Sequence, residues 1–329
     1  MAKVVVTGAA GFLGRLVIRR LLADGFVRVR GCCEEIDQLI TVDQVADIPS
    51  AGDPRVLVIK GNIYDILHER PSLFLNASVV FHLAGAVSAE CEIDFELGLQ
   101  SNVINGIALA NLLRRSESNP ILVFASSLAI YGSEKDQTLP LVITDEVRPT
   151  PQNSYGAQKL MLEIFFADIA RRGELSVRTL RLMTVSIRPD RPNGAASGFL
   201  SGMIREPLNG LHCNVPVPLD LQVCLNSPKQ AIDGLLSSCD IPDEQWGTAL
   251  GMNLPGLALS IGEMVEALRS VGGEEAVSLL TYRKEPDIIS IVGAWPSQFE
   301  SKRAEALGFT NQLTFVDFIQ SFLTSDSEH

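Results

Sequence analysis

The 329 residues carry no excess of positive charge, no long apolar run and no clustered metal ligands. Lysine and arginine number 27 against 39 acidic residues, a formal net charge of -12 and a pI of about 4.9. A nucleic-acid binder needs a basic footprint for phosphates, so no nucleic-acid partner is expected, and the acidity serves solubility. No apolar stretch reaches the roughly 18 residues that mark a bilayer span. The opening "MAKVVVTGAAGF" breaks into glycine too early for the apolar core of a secretory signal. The expectation is a cytoplasmic protein with no membrane partner. Cysteines at 32, 33, 91, 213, 224 and 239 lack CxxC spacing, and the adjacent Cys32 and Cys33 are poorly placed to bridge each other. Reduced thiols are expected. The four histidines are scattered, so no metal site is expected.

What is present is an alternation. Short, continuous apolar runs appear at 3–8 (KVVVTG), 38–43 (QLITVD), 55–62, 79–85 (VVFHLAG), 121–127 (ILVFASS) and 177–182 (VRTLRL). Runs without polar alternation suit parallel strands covered on both faces. Helical stretches separate them: about Phe12 to Asp24, stopping at Gly25, with Leu13, Leu16, Val17 and Leu21 as the buried stripe; about Phe95 to Ser116; and Tyr155 to Arg172, ending at Gly173. The pattern predicts an α/β fold, a Rossmann-type doubly wound parallel sheet with helices on both faces. After about residue 185 prolines punctuate loops and short segments, which reads as a smaller α+β lobe. The expected division is a dinucleotide-binding domain over 1–185 and a substrate lobe over 186–329.

Two features point to a dinucleotide. "TGAAGFLG" follows the first strand and opens the first helix. Gly8 allows the tight turn, Gly11 lets a pyrophosphate approach the backbone, and Gly14 permits close helix packing. The N–H groups at Phe12 and Leu13 and the positive helix end then face the phosphates. Asp43 closes the second strand. Its carboxylate can accept from ribose hydroxyls and repels a 2′-phosphate, favouring NAD over NADP. It lies further from Gly14 than the usual 20 or so residues, and the intervening "FVRVRGCCEEIDQ" reads as an insertion, a lengthened strand or a loop.

"NSYGAQK" at 153–159 places Tyr155 and Lys159 one helical turn apart on one face. Taken alone, such a pair is a chance feature of many helices. Together with "GNIYD" (61–65), "HLAG" (82–85) and "SSLAIYG" (126–132), in this order, the chain resembles the extended short-chain dehydrogenase/reductase family. The resemblance implies that Tyr155 is the acid/base, Lys159 its activator and Ser127 the hydroxyl that holds the substrate oxygen, with Ser126 as second choice. A free phenol titrates near 10, and the ammonium one turn away, with the positive nicotinamide ring nearby, is expected to lower that value. Asn62 and Ile63 would contact adenine, although Asn62 stands where the family commonly has aspartate. Leu83, Ala84, Gly85 and Asn102 would border the cofactor. "LRLMTVSIRPDRPNGAASGFLSGMIREPL" (180–208), "NSPKQAIDGLL" (226–236) and "WPSQFES" (295–301) are similar to a narrower group, the D-erythronate dehydrogenases, which oxidise a small sugar acid at its 2-hydroxyl with NAD. The group usually has proline where this chain has Met183. Arg191 and Asn193, with Ser88, are candidates for binding the substrate. The resemblance also implies a homodimer formed through the helices near 95–116 and 155–172. Two rival readings are a nucleotide-sugar epimerase or dehydratase and an NAD-sensing binding protein without chemistry; intact Ser127, Tyr155 and Lys159 argue against the latter.

Overall fold

The apolar runs form strands whose alternate residues fill two separate cores, one on each face of a sheet. The computed structural model describes residues 1–45, 52–133, 138–189 and 196–326. The chain begins β1 (Ala2–Thr7), α1 (Phe12–Asp24), β2 (Phe26–Val29), β3 (Cys32–Asp43), β4 (Val56–Lys60), α2 (Ile63–Glu69) and β5 (Val79–His82). It continues α3 (Ser88–Ile93), α4 (Phe95–Leu99), α5 (Asn105–Leu113), β6 (Ile121–Ser127), β7 (Val142–Ile143), α6 (Ser154–Arg171) and β8 (Ser176–Leu182). Then follow β9 (Thr184–Val185), α7 (Phe199–Leu208), β10 (Cys213–Asn214), β11 (Gln222–Asn226), α8 (Pro228–Asp240), α9 (Asp243–Trp246), β12 (Met252–Asn253), β13 (Leu257–Ser260) and α10 (Ile261–Ser278).

The main sheet runs β12-β8-β6-β5-β1-β3-β2, with β4 also paired to β3. Every pairing in it is parallel except β2 with β3. From β1 the chain builds outward first through β3 and later through β5, so the order reverses between β1 and β5. That reversal leaves a crevice at the carboxyl ends of these strands, where ligands of doubly wound sheets bind. Val4, Val6, Phe81 and Val123 face α1 and α8. Val5, Val80, Leu122 and Phe124 face α2, α5 and α6. In α1 the buried residues are Gly14, Val17, Ile18 and Leu21, whereas Leu13 and Leu16 are only partly covered. The stripe is rotated from the expected one because Leu13 lies beside the crevice.

Two local expectations are refined. The insertion at 26–38 does lengthen the second expected strand, which as β3 starts at Cys32, and its first residues fold back as β2, a hairpin antiparallel to the start of β3. Arg30 turns it and is anchored by Asp243 at 2.9 Å. The helix expected over 95–116 is interrupted: Gln100–Ile104 widen into a π-type turn between α4 and α5, and α5 ends at Leu113. A π turn pushes one residue out of helical register, and this one carries the buried Asn102.

A third core joins α7, α10 and a final helix, Phe315–Asp326, through Met203, Ile204, Met264, Leu268 and Phe318. It is roofed by the small sheet β13-β11-β9. α8 and β12 lie beyond residue 186 yet pack on the first sheet. Packing thus crosses the expected 185/186 boundary. α8 is tied there by Arg178 of β8, which donates to the Ser238 carbonyl at 3.0 Å.

Candidate active site

The glycine-rich turn is held from both sides. Gly8 N–H donates to the Val42 carbonyl at 3.0 Å. Gly8 itself has φ 72°, and a Cβ there would lie 2.5 Å from the Ala84 nitrogen. A Cβ on Gly14 would lie 2.1 Å from the Gly8 oxygen, so α1 can start this close to the turn only with glycine at that position. No side chain caps Gly11 at the start of α1, and its first turn holds no acidic residue. An open, positive helix end results. Asp43 accepts from the Ala10 N–H at 2.9 Å and from the Val45 N–H at 3.1 Å, which fixes its carboxylate at the far end of the turn.

Two cavities share Gly8, Gly11, Leu83, Gly85 and Ala86 and so form one groove. One arm, about 380 Å³, contains Asp43, Ile63 and Ala84. The other, about 300 Å³, contains Phe12, Leu13, Gly14, Ser88, Ser127, Tyr155 and Lys159. An elongated groove with a carboxylate at one end and an uncapped helix start in the middle fits a dinucleotide. Asn62 caps α2, its side-chain oxygen accepting from Tyr64 N–H at 2.9 Å, between Gly61 and Ile63, which line the groove. Asn102 lies beneath the groove. It donates to Gln158 at 2.9 Å and to the Ala86 carbonyl at 3.2 Å. Its other amide atom, without a hydrogen-bond partner, faces Gly85.

Tyr155 sits in the first turn of α6 because Asn153 caps that helix, accepting from Gly156 N–H at 2.7 Å. A Cβ on Gly156 would lie 2.0 Å from the Ala129 carbonyl. Glycine there lets α6 press on residues 128–130 and brings the Tyr155 phenol beside the Ser127 hydroxyl, which pulls its pKa down. Lys159 follows one turn later, buried, with Nζ donating to the Ala125 carbonyl at 3.0 Å and 5.5 Å from the Tyr155 ring centre. Ser126, the second choice, points the other way, and its hydroxyl donates to Glu163. Successive residues of a strand face opposite sides, so only one serine of the pair can present its hydroxyl to the cavity.

The expected lowering of the Tyr155 pKa is not met in the chain alone. Desolvation pushes the phenol up to about 12, against the opposing pull of the Ser127 hydroxyl and the Arg188 charge. Burial also brings Lys159 down to about 8, partly offset by Cys91 and Glu163. His82, at the end of β5, is pushed down to about 3 by burial and by the Lys159 charge, and shares a 2.8 Å hydrogen bond with Thr7.

Arg191 and Asn193 lie outside the described residues. The second half of the chain supplies Met183, Thr184, Arg188, Ser197 and Trp295 to the cavity wall. Of these, Arg188 and Trp295 were not singled out as site residues by sequence reasoning; Arg188 is only three positions from Arg191, and nothing local separates the two. Among the described residues the wall holds two cations, Lys159 and Arg188, and no carboxylate. This contrasts with a chain whose net charge is -12.

The fold and this Ser-Tyr-Lys groove define an NAD-dependent oxidoreductase of the extended short-chain type, and the comparisons agree. Residues 4–223 match the NAD dependent epimerase/dehydratase family, and the chain belongs to that family. It is 38% identical to the D-erythronate dehydrogenase of Cupriavidus necator, covering 97% of both chains. It is 35% identical to the D-erythronate dehydrogenase of Haemophilus influenzae, over 98% of this chain and 99% of the other. Among solved structures it resembles the nucleoside-diphosphate-sugar epimerase from Agrobacterium tumefaciens, with a TM-score of 0.87 and 33% identity, covering 99% of this chain and 95% of the other.

Proposed function

We propose that the protein oxidises the 2-hydroxyl of a small sugar acid, D-erythronate being the substrate class named in its relatives, to the 2-oxo acid. The observation that carries this reading is the cavity beside Ser127 and Tyr155, whose wall, among the described residues, holds two cations and no carboxylate. Gly8, Gly11, Asp43 and Ile63 along the groove would hold NAD, which would supply the acceptor for the hydride of carbon 2. Tyr155 takes the proton of the 2-hydroxyl, and Ser127 donates to the same oxygen as it becomes a carbonyl. Tyr155 lies in the first turn of α6, where the helix dipole favours its phenolate. Lys159 holds an ammonium one turn below, and general acid–base help of this kind contributes about 10²- to 10⁴-fold. Arg188 binds the substrate carboxylate, with Ser88 and Ser197 placed to meet its hydroxyls. Such an activity belongs to sugar-acid catabolism.

A homodimer goes with this reading. Ile93, Phe95, Leu97, Met161 and Ile164 are exposed apolar residues on the neighbouring segments α3, α4 and α6. Exposed apolar side chains on segments that pack side by side suit an interface between copies. A cytoplasmic location accords with a reaction that consumes NAD.

The test is purified protein with NAD and D-erythronate, L-threonate, D-threonate or a UDP-sugar, followed by NADH absorbance. Steady NADH with D-erythronate, abolished in Tyr155→Phe, supports the reading. Isomerisation of the nucleotide sugar with silence toward every sugar acid would favour the second reading, for which the Agrobacterium likeness speaks.

A further inference from the structure

Three ionisable side chains stand on one face of α6 at four-residue intervals: Tyr155, Lys159 and Glu163. The first two face the cavity, and the third does not. Glu163 is 1% exposed, in the protein interior. Its carboxylate accepts from Arg181 Nη2 at 2.7 Å and Nε at 3.1 Å, from the Gly251 N–H at 3.2 Å and from the Ser126 hydroxyl. Arg181 donates onward to the Tyr131 hydroxyl at 2.7 Å, which donates to the Asn253 side-chain oxygen at 3.2 Å. One buried carboxylate therefore links α6, β6, β8 and the segment leading into β12.

We propose that Glu163 is a positioning residue for the reaction: it turns Ser126 out of the cavity so that Ser127 faces it, and it keeps a negative charge one helical turn below the Lys159 ammonium. The first part follows from strand geometry. β6 must present one of two adjacent serines to Tyr155, and a hydrogen bond to a buried carboxylate fixes which one. The second follows from charge balance. The groups that face Lys159 are Tyr155 from α6, Cys91 from α3, His82 from β5 and Glu163 itself. Those that face Glu163 are Arg181 from β8 and Tyr131 after β6, with Arg303 beyond Arg181. His82 is neutral near pH 7, and Cys91 is pushed up by burial and stays a thiol. Glu163, paired with Arg181, is the carboxylate of this set that acts on Lys159.

This inference rests on Tyr155 and Lys159 being the reacting pair, so the experiment separates the two. The Lys159 side-chain carbon shift is titrated by NMR in protein without NAD, its signal assigned by its loss in Lys159→Met. Wild type should titrate near 8, and Glu163→Gln roughly one pH unit lower, as removal of a nearby opposite charge requires. With NAD and D-erythronate, the alkaline limb of the kcat profile should move down by the same amount. Ser126→Ala, which leaves the charge intact, should lower kcat several-fold without moving that limb. Glu163→Asp should keep the limb at its wild-type position. Because Glu163→Gln leaves Arg181 buried without its partner, the double variant Glu163→Gln/Arg181→Met repeats the titration in a protein relieved of that cation. A Lys159 titration unchanged in folded Glu163→Gln or in the double variant overturns the charge role. Wild-type kcat in Ser126→Ala overturns the positioning role. Full activity in Tyr155→Phe would instead overturn the underlying assignment.

Discussion

Replacing Gly8 by alanine adds one methyl group where the turn has no room for it and φ is 72°. The left-handed conformation costs an ordinary residue about 1–2 kcal/mol. The added carbon would also lie 2.5 Å from the Ala84 nitrogen and 2.6 Å from the Leu83 carbonyl carbon. Both are main chain and cannot rotate aside, so overpacking adds about 1–3 kcal/mol. The total is about 2–5 kcal/mol. With an unfolding entropy of about 2.1 cal/mol/K per residue, 329 residues give about 0.7 kcal/mol/K. The expected loss in Tm is therefore about 3–7 °C. Gly31, in the hairpin turn, is the control: its φ is 84° and a Cβ there meets nothing within 4 Å. Gly31→Ala should lose only the conformational part, about 1–3 °C. Calorimetry then separates stability from binding. Gly8→Ala, which moves the turn against residues 83–84, should weaken NAD at least about tenfold, a 1.4 kcal/mol effect. Gly31→Ala should leave NAD affinity unchanged. Equal Tm losses in the two variants, with wild-type NAD affinity in both, would refute the reasoning.

Arg188→Met should raise KM for the sugar acid about 10- to 100-fold, the worth of a charged hydrogen bond, with the Kd for NAD unchanged by calorimetry. Asp43→Ser should shift the NADP/NAD ratio of kcat/KM by at least about tenfold toward NADP, since like charges placed together cost several kcal/mol. His82 is held near 3 in the fold against 6.5 when free, so the unfolded chain takes up its proton first as pH falls. The stability from this depressed value is present above pH 6.5 and is lost progressively toward pH 3, amounting to about 2 kcal/mol by pH 5. His82→Gln should therefore lose about 2 kcal/mol less than wild type between pH 7.5 and 5 in denaturant titrations. Ile164→Glu should lower the sedimentation mass from dimer to monomer if α6 forms the interface.

Much of this site is visible in the chain because the relevant features are local. A glycine turn between strand and helix, a carboxylate closing the next strand and two residues one helical turn apart each lie within a dozen residues. Local spacing does not reveal what folds back from afar. The hairpin of β2 and β3 depends on Arg30 reaching Asp243. The cavity depends on Arg188 and Trp295 coming from the second half. Glu163 reads as one more polar residue on a helix until Arg181, 18 positions on, meets it in the core. Burial is the other hidden quantity. The pair Tyr155 and Lys159 suggests a lowered phenol, but spacing alone does not report how far desolvation acts in the opposite direction.

In the proposed reaction a hydride leaves carbon 2 of a small sugar acid at the Tyr155 site. D-erythronate deuterated at carbon 2, incubated with NAD and the protein, tests it most directly by NMR of the reduced cofactor. Deuterium is expected on the nicotinamide ring in proportion to NADH formed, with a 2-oxo acid as the other product and no transfer by Tyr155→Phe. NADH without deuterium, or deuterium transfer that persists in Tyr155→Phe, would contradict it.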